Sequence, residues 1–85
     1  MKIFNQYLDV PENFTGICKF YDESVRHFKE RYYHREDGPA IEFKSGDKYW
    51  YYKNKMYGIN NDFTNESWIE FAENLKRQEE LQIFK

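Results

Sequence analysis

Cysteine is almost missing from this sequence: Cys18 stands alone, so no disulfide can form within the chain. Such usage is typical of proteins from a reducing compartment. Long apolar runs are missing as well, because nothing approaches the ~20 residues of a membrane-spanning helix. Residues 1–4 lead directly into Asn5 and Gln6, where a secretory signal would stay apolar. We therefore expect a cytoplasmic protein without a membrane partner.

An excess of positive charge is missing too. Lys and Arg number 13 against 15 Asp and Glu, for a net charge of −2, whereas proteins held mainly by nucleic-acid phosphates cluster many cations. The sequence has no Cys-x-x-Cys or His-x-x-x-His spacing for a metal, no Gly-rich phosphate loop and no Gly-x-Ser-x-Gly. We therefore predict no metal, no cofactor and no enzymatic activity.

Aromatic residues are what the sequence has in excess. They make up 21% of the 85 residues, which is too many for a disordered chain even though 33% of the residues are charged. The length is about half that of a typical domain, so the whole chain, residues 1–85, is predicted to form one small domain.

Turn residues divide the first two thirds of the chain into short β-type runs. Residues 1–16 predict a lead-in, and residues 17–58 alternate apolar runs with turns at Asp22-Glu23-Ser24 and Ser45-Gly46-Asp47, which predicts hairpins. Residues 59–65 are polar and predict a loop. The lead-in has four candidate anchors to the rest of the protein: Phe4, Tyr7, Leu8 and Phe14.

The C-terminal part has a helical pattern. Trp68, Phe71, Ala72 and Leu75 fall on one face of an α-helix, which predicts a helix from about 66 to about 80. Thr64 or Asn65 is its candidate N-cap. Leu81-Gln82-Ile83-Phe84 is either a last turn or a short strand returning to the sheet, and we favour the strand.

The β part repeats itself. Ile17-Cys18-Lys19-Phe20 aligns with Ala40-Ile41-Glu42-Phe43 at an offset of 23, and the segment from Phe28 aligns with the segment from Tyr52 at an offset of 24. This predicts one inserted residue near the Ser-Gly-Asp turn. Repeats of this length are typical of architectures in which each hairpin packs against the next.

A family resemblance is carried by His34-Arg35-Glu36-Asp37-Gly38-Pro39-Ala40 and by the segment from Gly46 to Lys55, GDKYWYYKNK. Together they resemble the "HREDGPA…G-x-K-x-W-Y-x-NGK" units of MORN-like repeat proteins, which are small proteins of phages, giant viruses and some bacteria. The resemblance covers residues 17–58 and implies a meander of β-hairpins. It implies no activity, cofactor or catalytic residue.

These patterns together predict an α+β fold. It is an antiparallel β-meander of two repeated hairpins over about 17–58, with a C-terminal amphipathic helix over about 66–80 packed on the sheet. The residues expected in its core are Ile41, Phe43, Trp50, Trp68, Phe71 and Leu75.

The run Tyr49-Trp50-Tyr51-Tyr52 places aromatic side chains on both faces of one strand, since side chains alternate. One turn length pairs Ile41 with Trp50 and points Trp50 into the core; a longer turn pairs Ile41 with Tyr51. In either register the opposite face stays aromatic. That face either packs the lead-in or is an exposed platform for a partner.

The polar segment His34-Arg35-Glu36-Asp37-Gly38 has two interpretations. It is a small polar site in which Arg35 binds a phosphate, or it is a tight turn with Gly38 left-handed and Arg35 paired with a nearby acid. Asp-Gly is turn chemistry first, so we favour the turn.

The function that fits these features is a non-catalytic protein-interaction module. The family resemblance suggests a phage accessory protein that binds, and inhibits, a host protein such as a defence component. The alternative is a binder of single-stranded nucleic acid or nucleotide on a basic, aromatic sheet face; a homo-oligomer joined through sheet edges is a third hypothesis. The candidate partner-binding residues are Tyr49, Tyr51, Arg35, Lys48, Lys53 and Tyr57.

Overall fold

The computed structural model describes residues 2–83, which form a seven-stranded sheet and one long helix. The predicted α+β class is confirmed, and the helix packs on the sheet. The elements are β1 (Lys2–Phe4), β2 (Gly16–Phe20), β3 (Val25–Lys29), β4 (Tyr32–Tyr33), β5 (Ile41–Glu42), β6 (Lys48–Tyr52), β7 (Lys55–Ile59) and α1 (Asn65–Ile83).

The sheet order is β1-β2-β3-β5-β6-β7, with β4 paired to β3. Strand β3 pairs with β5 through Val25 and Arg26, and with β4 through Phe28 and Lys29. The pairings among β2 to β7 are all antiparallel, so the predicted hairpins over 17–58 are present. The lead-in adds β1, which pairs in parallel with β2 at the sheet edge.

The repeat is regular. Strands β2-β3-β4 form a first unit and β5-β6-β7 a second unit, and their two-residue turns, Glu30-Arg31 and Lys53-Asn54, both have positive φ at both residues. Corresponding turn residues are 23 positions apart. The predicted offset of 24 in the second block is therefore wrong, because aligning Phe28 with Tyr52 matched aromatic residues that face opposite sides of the sheet.

Both predicted registers of the second hairpin are wrong. The Phe43 N–H donates to the Asp47 carbonyl (2.9 Å), so Ile41 pairs with Tyr49 rather than with Trp50 or Tyr51. Gly46 allows this short loop to form, because its φ of 99° lies in the region that favours glycine.

Two hydrophobic cores lie on opposite faces of the sheet. On the lead-in face of the first unit, the lead-in covers Cys18, Phe20 and Phe28. On the helix face of the second unit, α1 covers Trp50 and Tyr52. The lead-in core consists of Val10, Cys18, Phe20 and Phe28 with Phe4, Tyr7, Phe14 and Tyr33; the helix core consists of Trp50, Tyr52, Trp68 and Ala72 with Tyr57, Phe63, Phe71 and Leu75.

The helix begins at the predicted cap. The Thr64 hydroxyl accepts the Ser67 N–H (3.1 Å), and the Ser67 hydroxyl accepts the Thr64 N–H (2.8 Å), so two N-terminal donors are satisfied. The helix continues to Ile83, so the predicted strand is wrong over residues 81–83, while Phe84 lies outside the described residues. The last turns contain good helix formers and no stop signal.

Three of the six predicted core residues are buried, and the other three are half-buried. Ile41, Trp50 and Trp68 are buried, whereas Phe71 and Leu75 are half-buried against the helix core. Phe43 is half-buried but outside both cores. In the lead-in, Leu8 is 78% exposed, so it is not an anchor, and Val10 takes that role instead. Across residues 2–83, no helix has the length and hydropathy needed to cross a membrane.

Candidate functional site

A patch of apolar and aromatic side chains lies uncovered on the lead-in face of the second unit. Tyr49 and Tyr51 are half-buried there, and Met56 and Ile59 are 48% and 43% exposed. With Phe43 at the rim, these five residues are called the open patch. Contiguous apolar surface of this kind is typical of interaction sites.

The register explains why these residues share a face. Tyr49 lies opposite Ile59, and Tyr51 lies opposite Met56, so the four side chains point to the same side. The register shifts by one residue within this pairing, which leaves Tyr57 as an extra residue in β7. The Tyr57 side chain therefore turns to the other face, where its ring contacts Phe71 at 5.2 Å between centroids.

The open patch continues the lead-in core without a break. The Tyr33 ring contacts Phe28 (4.7 Å) inside that core and Tyr51 (5.2 Å) in the open patch. At the junction, the Arg26 guanidinium lies 4.0 Å from the Phe20 ring centroid and donates to the Tyr33 hydroxyl (2.8 Å). Burial raises the pKa of the Tyr33 hydroxyl.

The two predicted partner-binding lysines lie away from the open patch. Lys48 alternates with Tyr49 along β6 and so points to the helix face. Lys53 sits in the turn between β6 and β7, and its Nζ is 2.7 Å from the Glu79 carboxylate on α1. The structure thus brings Tyr49 and Tyr51 together but separates them from Lys48, Lys53 and Tyr57.

The segment His34–Pro39 leaves the sheet between β4 and β5 and is closed by its own side chains. The His34 ring is 7% exposed, and its Nδ1 accepts the Lys53 N–H (2.9 Å). Its Nε2 therefore carries the proton and donates to the Glu36 carboxylate (3.2 Å). This hydrogen bond from His34 lowers the pKa of Glu36.

Arg35 is engaged within the chain rather than free for a partner. Its Nε donates to Asp37 (2.7 Å), and its Nη1 donates to the Pro39 carbonyl and to His27 Nε2, both at 3.2 Å. The hydrogen bond from Arg35 lowers the pKa of Asp37. The Arg35 carbonyl in turn accepts the Trp68 indole N–H (2.7 Å), which ties the segment to α1.

Gly38 is required by space and not by backbone conformation. A Cβ there would lie 2.8 Å from the Arg35 guanidinium carbon, and its φ is not in the left-handed region. The predicted pairing of Arg35 with a nearby acid is therefore confirmed. The predicted left-handed conformation of Gly38 is wrong.

A shallow pocket of about 180 Å³ opens beside the same segment, lined by Lys29, Glu30, Tyr32, His34 and Lys53. Its charges are mixed, and Lys53 is already paired with Glu79. The arrangement therefore does not concentrate charge of one sign on a ligand.

The remaining reactive groups do not converge. Burial raises the pKa of the Cys18 thiol, which is fully buried in the lead-in core and so is the inert structural cysteine of ordinary cores. Within the part of the chain that the structure describes, no three His, Cys, Asp or Glu side chains are grouped to hold a metal ion.

In comparisons with known proteins, no family model, no curated protein and no solved structure matches this chain. The function must therefore be argued from the geometry of the open patch.

The sequence indicated two of the five residues of the open patch, and it placed Phe43 in the core instead. Tyr49 and Tyr51 were accessible to prediction because they alternate with Trp50. Met56 and Ile59 were not predicted, because the face to which they point depends on the register shift beside Tyr57, where Gly58 is the one signal that the sequence offers.

Proposed function

We propose that this protein is a non-catalytic protein-interaction module and that the open patch is its binding surface. One observation carries the proposal. The lead-in face is covered in the first unit by the lead-in, whereas the equivalent face of the second unit has no covering element among the described residues. Aromatic and methionine side chains on such a surface are the residue types enriched at protein interfaces.

The finer form of the proposal is a phage accessory protein. It binds, and inhibits, a host protein such as a defence component in the host cytoplasm. The resemblance of the segment from His34 to Ala40 to MORN-like repeats supports this form, and the chemistry of the open patch is compatible with any apolar protein surface.

The charge distribution favours a protein partner over single-stranded nucleic acid. A stacking platform for bases needs cations beside the aromatic rings to track the phosphates. Lys48 lies on the other face of the sheet, and Lys53 is paired with Glu79. The Arg26 guanidinium lies 5.7 Å from the Phe43 ring centroid at the rim of the open patch, and it is held by Tyr33 and Asp22.

A matched pair of variants tests the surface. Met56 and Ile17 are both 48% exposed, on opposite faces of the sheet. Tagged wild-type, Met56→Lys and Ile17→Lys proteins are incubated with bacterial lysate, with and without nuclease, and the bound proteins are identified by mass spectrometry.

The proposal predicts one stoichiometric protein partner that survives nuclease, is retained by Ile17→Lys and is lost with Met56→Lys. Recovery of nucleic acid alone, lost with nuclease and weakened steeply by salt, would replace the proposal with the nucleic-acid alternative. Self-association of the purified protein well above 10.6 kDa, abolished by Met56→Lys, would replace it with a homo-oligomer.

A further inference from the structure

The first unit shows what a covered lead-in face looks like. The Tyr7 ring stacks on Phe28 with centroids 6.1 Å apart and planes at 25°, and it also contacts Tyr33 at 5.6 Å. The Tyr7 hydroxyl donates to the Arg31 carbonyl at 2.9 Å. One tyrosine of the lead-in thus fills a site made of an aromatic ring, a second side chain and a turn carbonyl.

The second unit repeats that site. At the offset of 23, Phe28 corresponds to Tyr51, Arg31 to Asn54 and Tyr33 to Met56, and the two turns have nearly identical φ values. Tyr51, the Asn54 carbonyl and Met56 are therefore arranged as Phe28, the Arg31 carbonyl and Tyr33 are. A side chain equivalent to Tyr7 is absent there among the described residues.

The other contacts of the lead-in already have counterparts in the second unit. In the first unit, the Phe14 carbonyl accepts the Arg31 N–H (2.8 Å) and its ring packs on Phe28 (5.9 Å). In the second unit, the Tyr33 carbonyl accepts the Asn54 N–H (2.8 Å) and its ring packs on Tyr51. The two environments thus differ in the contribution of Tyr7, in the Phe20 ring that stacks on Phe28 (6.3 Å) and in the Arg31 guanidinium 4.9 Å from the Tyr7 ring centroid.

From this difference, and resting on the proposed function of the open patch, we infer its occupant. It is an extended segment of a partner protein that stacks a tyrosine on Tyr51, against Met56, with the tyrosine hydroxyl donating to the Asn54 carbonyl. The open patch is continuous with the covered interface through Tyr33, so the bound segment lies beside the lead-in. Tyrosine suits the site because it combines a stacking ring with a hydroxyl donor.

The probe is a synthetic peptide of residues 2–10 of this chain, KIFNQYLDV, which contains Tyr7. It is titrated into the full-length protein labelled for NMR at its aromatic and methyl groups. We expect saturable shifts at Tyr51, Met56 and Ile59. The peptide with Tyr7→Ala should bind about tenfold or more weakly, because it lacks the stacking ring and the hydroxyl.

Three results would overturn the inference. Shifts confined to Phe28 and Cys18 would mean that the peptide only exchanges with the lead-in of the same molecule. Equal binding by the Tyr7→Ala peptide would show that stacking is not the source of affinity. Binding unchanged in the Met56→Lys protein would place the peptide elsewhere, with Ile17→Lys as the matched control.

The test also separates this inference from the proposed function. No saturable shift with the peptide, while a lysate partner is still lost with Met56→Lys, rejects the tyrosine occupant and leaves the interaction module standing. Loss of sensitivity to Met56→Lys in both experiments rejects both. Concentration-dependent dimerisation through the open patch, without peptide, would make a second copy of the chain the occupant.

Discussion

The two units have the same backbone path but opposite coverings. The first unit is covered on its lead-in face by residues of the lead-in, and the second is covered on its helix face by α1. The difference follows from a few side chains at equivalent positions: His27 corresponds to Trp50, and Arg26 corresponds to Tyr49. The repeated backbone alone therefore does not determine which face is free, because the side chains at these positions and the segments that flank each unit differ.

Disrupting the packing of α1 on the second unit should have the largest effect on stability. Trp68→Ala removes a fully buried side chain that contacts Trp50 and donates to the Arg35 carbonyl, and we expect a loss of about 3–5 kcal/mol in the free energy of unfolding. Denaturant titration measures it. The neighbouring change Ile69→Ala, on the exposed side of α1, should cost less than about 1 kcal/mol. Equal losses would contradict this packing.

Disrupting the packing of the lead-in on the first unit should have the second largest effect on stability. Tyr7→Ala removes the ring stacked on Phe28 and its hydroxyl bond, so we expect a loss of about 2–3 kcal/mol by thermal or denaturant unfolding. Its neighbour Leu8 is exposed, so Leu8→Ala should change stability by less than about 0.5 kcal/mol. A lead-in that does not dock would make the two variants indistinguishable.

His27, on the helix face of the first unit, predicts a pH dependence of stability. The equivalent residue of the second unit, Trp50, does not titrate. Burial, followed by the positive charge of Arg35 and opposed by Asp37, lowers the pKa of His27 to about 4. Between pH 6.5 and 4 the unfolded chain binds a proton that the folded chain does not. Stability should therefore fall as the pH falls through this window, by about 2 kcal/mol, and be unaffected by His27 above it.

The control for this prediction is His27→Gln, which cannot titrate. Unfolding titrations of the wild type and the variant at several pH values should diverge only between pH 6.5 and 4. Parallel curves across that window would mean that His27 is protonated in the folded protein.

The segment between the units predicts a smaller effect. Gly38→Ala places a Cβ against the Arg35 guanidinium, which is held by Asp37 and Pro39, so we expect a loss of about 1–2 kcal/mol. In an Arg35→Ala background the same change should be nearly neutral, because the crowding is gone. A cost that persists in that background would point to backbone conformation instead.

The smallest effect should be a gain. Glu30 has a φ of 50° in the first unit, a conformation that costs most residues energy and that asparagine tolerates. Glu30→Asn should therefore stabilise the protein by about 0.5–1 kcal/mol in thermal unfolding. Lys29→Asn, at the adjacent strand position, should not stabilise it; a gain there as well would rule out turn geometry as the cause.

Local patterns predicted much of this fold and only part of its surface. The spacing of Trp68, Phe71, Ala72 and Leu75 predicted the helix correctly, because the apolar residues on the buried face of a helix recur at a period that the sequence shows. The Thr64 cap was likewise one of two predicted. The end of the helix was not predictable, because its last turns carry no breaking residue.

Features that depend on pairing between distant segments could not be predicted from the sequence. The number of loop residues around Gly46 determines which residue faces Ile41, and a change of one residue reverses the faces of the strand. The parallel pairing of β1 with β2 joins segments more than a dozen residues apart. Which aromatic face stayed open could be known only from the position of the lead-in.

The claim that the lead-in face is covered in the first unit and open in the second is tested most directly by measuring the exposure of both faces to solvent. NMR signals of the full-length protein are recorded while a soluble paramagnetic compound is added, which broadens the signals of accessible groups. The structure predicts strong broadening at the exposed Met56 and Ile59 and weaker broadening at the half-buried Tyr51, with Cys18 and Phe28 protected. Equal protection of Tyr51 and Phe28, or equal broadening of both, would contradict the difference between the two units.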